Sequence, residues 1–341
     1  MKKGLIISLT LLCLAASNFT KPYPNYFPEP NYKLDFSSKT YDLIQLGRAL
    51  FYDPILSANN RISCASCHSP YNSFAHTDHA VSHGIHDSIG ERNAPALINL
   101  AWQKELMWDG ASNHLDVQAL APITHPGEMA ETIEHVIDKL QKSKLYRSLF
   151  KGAYGDTLIN SQRMLKALTQ FQLTLISDDS KYDKVRRNED TFSIQEIKGY
   201  KLFLTHCNSC HTEPLFTNHK FKNNGLNIDI QSMDLGRFNI TKIPEDSMKF
   251  KVPTLRNISY TFPYMHDGRF KKLRSVINHY VNDNKEYKYI SKELKQNILL
   301  SSNEKTDLIS FLVTLNDKNF IHNTENKFPR KILLQPRDIS N

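Results

Sequence analysis

The sequence has no apolar run long enough to span a bilayer, no basic block interleaved with aromatic residues and few strand signals, and only five of its 341 residues are cysteine. Each shortage removes a class of protein. A membrane-spanning helix needs ~20 apolar residues, whereas the N-terminal run inside MKKGLIISLTLLCLAAS is about ten long. The missing basic and aromatic block argues against a nucleic-acid surface. The net charge of +8 fits an ordinary solvated surface with a mild bias toward acidic partners. Lys2 and Lys3 precede the apolar run and small residues at Ala15 to Ser17 follow it, the layout of a secretory signal peptide over 1–17. Leu12 stands before Cys13 where a lipidated cysteine needs a small residue, which argues against a lipid anchor. The mature chain is therefore expected in the periplasm, with no membrane span.

After cleavage four cysteines remain, and all lie in two short motifs: ISCASCH, with Cys64, Cys67 and His68, and HCNSCH, with Cys207, Cys210 and His211. Exported chains meet an oxidising compartment, so disulfides are one reading and zinc another. Neither explains why a histidine follows the second cysteine both times. C-x-x-C-H is the attachment signature of haem c: the thiols bond to the porphyrin vinyl groups and the imidazole reaches the iron as proximal ligand. Two covalently bound haem c groups are the favoured reading. LGRALF (Leu46 to Phe51) and KGYKLF (Lys198 to Phe203) place G-x-x-L-F ahead of each motif, which reads as the repeat of a whole domain about 150 residues on.

The periodic stretches are helical. TIEHVIDKLQKSKLYRSLF puts Ile133, Val136, Ile137, Leu140 and Leu149 on one face, and MLKALTQFQLTLIS does so with Leu165, Leu168, Phe171 and Leu175. Ser301 and Glu304 offer a capping box before another apolar helix. The expected fold is all-α, with two cytochrome c-type haem domains and the interdomain interface between the haems. KPYPNYFPEP makes 18–40 a proline-rich, extended leader. One domain covers 41–185 and the other 186–318, divided near the charged segment DDSKYDKVRRNED. Residues 319–341 read as a polar, weakly ordered tail.

Further motifs lie between the two attachment sequences: RNAPALIN (Arg92 to Asn99), MWDG (Met107 to Gly110), VQALAPI (Val117 to Ile123), GEM (Gly127 to Met129), PTLRNI (Pro253 to Ile258) and TFPYMHDGRF (Thr261 to Phe270). In this order they resemble the bacterial diheme cytochrome c peroxidase and MauG family over about Tyr41 to Leu315. The resemblance implies that the N-terminal haem is peroxidatic, with Gln118 and Glu128 in its distal pocket. An acid near the iron can move a proton between the two peroxide oxygens, and Gln118 can hold peroxide or water. By residue type alone, Glu128 is a surface acid favouring the dipole of a helix that begins near Glu131. Trp108 matches the tryptophan that relays electrons between haems, and Asn93, Thr261 and Pro263 match a calcium site.

Two positions depart from the simplest pattern. In many members a histidine after the first haem closes that iron at rest; AHTDHAVSHGIHDSIG offers His76, His79, His83 and His86, of which His83 matches best. Many members also supply methionine as the second haem's sixth ligand, where this chain has Tyr280, as MauG does. Met265 competes. The leading expectation is an exported peroxidase that reduces hydrogen peroxide with electrons from a small donor protein, a cytochrome c or cupredoxin. The alternatives are a MauG-like oxidase that modifies a partner protein through a high-valent state shared by the haems, and a non-catalytic diheme electron carrier. Homodimers are common among the peroxidases it resembles.

Overall fold

The computed structural model describes residues 21–33, 38–229, 232–281 and 289–334; the expected signal peptide lies outside them. The chain is largely helical. Among the described residues the one sheet pairs Phe221–Lys222 antiparallel with Phe250–Lys251.

The repeated G-x-x-L-F has a packing cause. The Ser38–Tyr52 helix packs against the Ser161–Leu173 helix at Gly47, where an added Cβ would stand 1.9 Å from the Ala167 carbonyl oxygen. The Ile194–His206 helix meets the Ser302–Val313 helix at Gly199, where a Cβ would stand 1.9 Å from the Asp307 oxygen. Only glycine lets either pair of backbones come this close. The phenylalanine one turn on then fills the seam. Phe51 meets Phe171 at 5.3 Å and Phe74 at 5.7 Å, while Phe203 meets Phe311 at 5.1 Å and Phe216 at 5.4 Å. All six rings are buried, and each contributes ~1.5–3 kcal/mol of burial.

Each half builds its core around this triad. The first gathers Leu46, Leu50, Ile123, Val136, Leu140 and Leu168; the second gathers Tyr182, Ile277, Leu308, Leu312 and Leu315. The stretch expected as one apolar face is two helices, Ile133–Lys142 and Lys144–Tyr154. Ser143 breaks it: with extended backbone, its side chain accepts the Tyr146 N–H and caps the second helix. The Ser301–Glu304 capping box forms as expected.

Three expectations based on composition are corrected. The proline-rich leader packs down: Tyr23 and Phe27 each place a ring 5.3 Å from Trp102, whose Nε1–H donates to the Pro28 oxygen at 2.7 Å. The charged divider is partly core. Asp183, in the Lys181–Arg186 helix, forms a wholly buried two-pronged pair with Arg256, both contacts at 2.8 Å. The segment looked surface-like because its counter-charge lies 73 residues away. The tail returns to the first half, where Phe320, Ile321 and Leu333 join its core. There Arg48 also donates to the carbonyls of Thr324 and Lys327 at 2.6 and 2.8 Å.

Candidate active site

Cys64–Cys67 is a single helical turn, closed by the His68 N–H on the Cys64 oxygen at 2.9 Å. In the second copy the His211 N–H donates to the Cys207 oxygen, also at 2.9 Å. Each turn therefore presents two sulfurs and an imidazole together. His68 Nδ1 lies 2.7 Å from the Phe74 oxygen, and His211 Nδ1 lies 3.1 Å from the Pro253 oxygen and 3.3 Å from that of Phe216. Phe74 and Phe216 both have left-handed backbone, φ 59° and 54°, another feature the halves share. A carbonyl only accepts, so Nδ1 carries the proton and Nε2 keeps its lone pair for a metal. Burial pushes both histidines down to about 4, so they are neutral at ordinary pH.

The four cysteines are free thiols, which removes the disulfide reading. No group of three or more His, Cys, Asp or Glu side chains able to hold a metal occurs among the described residues, so the zinc reading finds no ligand set. Two thiols plus one neutral imidazole with a fixed tautomer fit haem c. The residues that would hold it are Cys64, Cys67 and His68 in one half and Cys207, Cys210 and His211 in the other.

Beyond these turns the halves diverge. Near the first, Glu128 is close enough that its charge raises the pKa of both Cys64 and Cys67. Its side chain is 48% exposed, yet desolvation by its surroundings holds the carboxyl above the ordinary range, opposed by His125. The helix that follows Glu128 begins at Ile133 behind Thr132. The acid that pairs there is Glu131, with Lys139 at 2.7 Å and His135 at 2.9 Å. Glu128 is positioned instead by the histidine loop. Gly84 lies so close that a Cβ would stand 2.0 Å from the Gly127 oxygen, and the Ile85 N–H donates to the Glu128 oxygen at 2.8 Å. Gln118, at the end of the Leu115–Gln118 helix, donates from Nε2 to Met107 Sδ at 3.5 Å.

In the same loop, His76, His79 and His83 stack in sequence, with centroid distances of 6.1 and 4.7 Å. His83 Nδ1 contacts Asp87 at 2.6 Å, and its carbonyl faces the Cys67 thiol at 3.9 Å. At the second turn, Tyr280 is on the Leu273–Val281 helix. Its phenol is pushed up to about 12 by burial, opposed by a hydrogen bond from Asn224, and it feels both Cys207 and Cys210. Met265 reaches the same neighbourhood, its sulfur accepting from Asn224 Nδ2 at 3.5 Å.

Between the halves, Trp108 donates from Nε1 to the Asn93 oxygen at 2.8 Å, and its own oxygen accepts the Lys251 N–H at 2.7 Å. Asn93 is buried. Its Nδ2 donates to the Pro263 oxygen at 2.6 Å, while its Oδ1 has no hydrogen-bond partner. Such an orphaned oxygen beside a carbonyl suits a hard cation. Thr261, on the same turn as Pro263, donates from its hydroxyl toward the Ile258 oxygen at 3.4 Å. Arg92 ties the halves together, holding Asp109 at 2.7 Å and Asp234 at 2.6 and 2.8 Å.

Residues 41–191 match the family described as di-haem cytochrome c peroxidase. Methylamine utilization protein MauG of Methylophilus methylotrophus is 35% identical over 81% of this chain and 83% of its own. The chain belongs to the diheme cytochrome c peroxidase and MauG family. Cytochrome c peroxidase Ccp of Escherichia coli K12 is 34% identical over 80% of this chain and 58% of its own. The structure of a MauG-like protein associated with microbial copper homeostasis is 30% identical, with a TM-score of 0.80 over 90% of this chain and 98% of that one. As a member of a diheme family this chain is an oxidoreductase carrying two haem c groups, and relatives of both kinds, MauG and peroxidase, are similarly near. Sequence reading missed Asn224, the Arg92–Asp234 bridge and the role of Gly84. Their partners lie on other segments of the chain, and only G-x-x-L-F advertised itself by repeating.

Proposed function

We propose that the chain is an exported diheme peroxidase that reduces hydrogen peroxide to two waters at the iron held by His68, consuming two electrons and two protons. The observation that carries the reading is inequality between two like turns: a half-exposed carboxyl with a raised pKa stands near the first pair of thiols and a partly buried phenol near the second. The haems supply the redox chemistry; the protein sets their ligands and proton delivery. Glu128, ionised above its raised pKa, takes the proton from the peroxide oxygen nearer the iron and gives it to the departing one. Gln118 Nε2 holds the peroxide by a hydrogen bond in exchange for its contact with Met107. Electrons enter singly from a small cytochrome c or cupredoxin through the second haem domain, and Trp108 carries them across the interface between the two haem domains. His83, its Nδ1 committed to Asp87, would have Nε2 to offer the first iron at rest. Asn93 Oδ1 and the Thr261 and Pro263 carbonyls would hold a calcium ion, which would stiffen this junction. No helix among the described residues is long and apolar enough to cross a membrane; the periplasmic location rests on the signal-peptide pattern of the first 17 residues.

A second reading is favoured by Tyr280 alone. A phenolate stabilises ferric iron where methionine raises the potential, so a tyrosine-ligated second haem suits MauG-like oxidation of a partner protein. Stopped-flow mixing with peroxide, with and without a reduced small cytochrome or copper protein, separates the two. Donor oxidised in step with peroxide supports the peroxidase; a long-lived oxidised form that ignores donors supports the other. Two six-coordinate irons inert to peroxide in every redox state would sink both.

A further inference from the structure

Asn224 stands at the second attachment turn with both candidate ligands in reach, and its side-chain amide and backbone oxygen are both engaged. Its backbone oxygen accepts His279 Nε2–H at 2.9 Å, which ties it to the helix that carries Tyr280. Its Oδ1 accepts the Leu226 N–H at 3.4 Å. With the carbonyl end of the amide fixed there, Nδ2 is left to face the ligands. It donates to Met265 Sδ at 3.5 Å, and the same side chain hydrogen-bonds the Tyr280 phenol. Two N–H bonds thus serve two acceptors.

We propose that Asn224 selects the sixth ligand of the second iron, directing it to Tyr280 and withholding Met265. The inference rests on the reading of Tyr280 as that ligand. Two effects act in one direction. An N–H donated to the phenol oxygen holds that oxygen in place beside the attachment turn, where it would meet the iron. An N–H on the thioether engages one of the sulfur's two lone pairs, draws density from it and turns it toward Asn224, which weakens it as a donor to the metal. Met265 is otherwise well placed to compete. Its backbone is left-handed at φ 76°, a conformation that a non-glycine residue keeps only where its surroundings hold it. Its carbonyl accepts the Gly268 N–H at 3.3 Å and lies 3.5 Å from Asn93 Nδ2, so the turn is pinned from both halves. Asn224 is a positioning residue here, acting on the iron only through its two neighbours.

The test is optical and potentiometric, on the holoprotein loaded with both haems, comparing the parent with Asn224→Leu, which keeps the volume and removes both donors. In the parent the ferric second haem should show a phenolate-to-iron charge-transfer band. In Asn224→Leu that band should be lost, the far-red sulfur-to-iron band should appear and the second reduction potential should rise. Asn224→Leu combined with Met265→Leu should lose the sulfur band again. Two haems per chain together with an unchanged far-ultraviolet circular dichroism spectrum and cooperative melting show that each variant has folded. A phenolate band that survives Asn224→Leu with unchanged potential overturns selection by Asn224 and leaves Tyr280 as ligand. A parent with no phenolate band overturns the Tyr280 reading itself, and the inference with it.

Discussion

The two halves use one frame. Gly47 and Gly199 let paired helices touch, Phe51 and Phe203 head matching aromatic triads, and His68 and His211 give their Nδ1 protons to carbonyls of left-handed turns. On the open side of each turn the likeness ends. The first has the Glu128 acid near its thiols; the second has a phenol and a thioether joined by Asn224. What was duplicated is the means of holding a haem, and what diverged is what meets the iron.

The comparison breaks most easily at its chemistry. Glu128→Gln should slow the peroxide step by ~10²- to 10⁴-fold while leaving the second haem's spectrum untouched; a rate within a few-fold of the parent in stopped-flow would remove Glu128 from the mechanism. Next comes the join. Asp183→Ala strands Arg256 as an unpaired buried charge and should cost ~3–5 kcal/mol in denaturant unfolding. A cost below ~1 kcal/mol would mean that water reaches the pair. The shared frame is tested by Gly47→Ala and Gly199→Ala. Each should cost ~1–3 kcal/mol, and the two costs should match if the helix crossings are equivalent.

The smallest expected effect depends on pH. Burial, then Asp183 and Asp317, push Asp178 up to about 6. A carboxyl with a raised folded pKa contributes stability that is complete below ~pH 4, its unfolded value, and is lost as pH rises through 6. Asp178→Asn should flatten that slope and gain about 1 kcal/mol above pH 6, the ~3 kcal/mol of a two-unit shift discounted for the solvent screening of a partly exposed group, seen as a higher melting temperature at neutral than at acid pH relative to the parent. An unchanged pH–stability curve would show that Asp178 stays ionised.

What the sequence made legible was local or repeated. The attachment turns, the helix types, the Ser301–Glu304 box and the glycine repeat each depend on residues within a few positions of one another. The leader, the divider and the tail read as surface because proline and charge dominate them. Their fate is decided by Trp102, by Arg256 and by the first core, partners that no window of sequence contains. Glu128 was found through a motif, but the close approach of Gly84 that positions it becomes visible only when two loops lie together.

The return of residues 318–334 to the first half bears on how the molecule is made. Arg48 finds its carbonyl partner at Lys327, 279 residues later, and Phe51 shares a core with Phe320 and Leu333. As the chain emerges, the first turn is therefore exposed long before its surroundings can close. Phe74, whose carbonyl meets His68 Nδ1, packs its ring 6.1 Å from Phe320. The support behind the first histidine is therefore complete only when the last helices of the chain have been made.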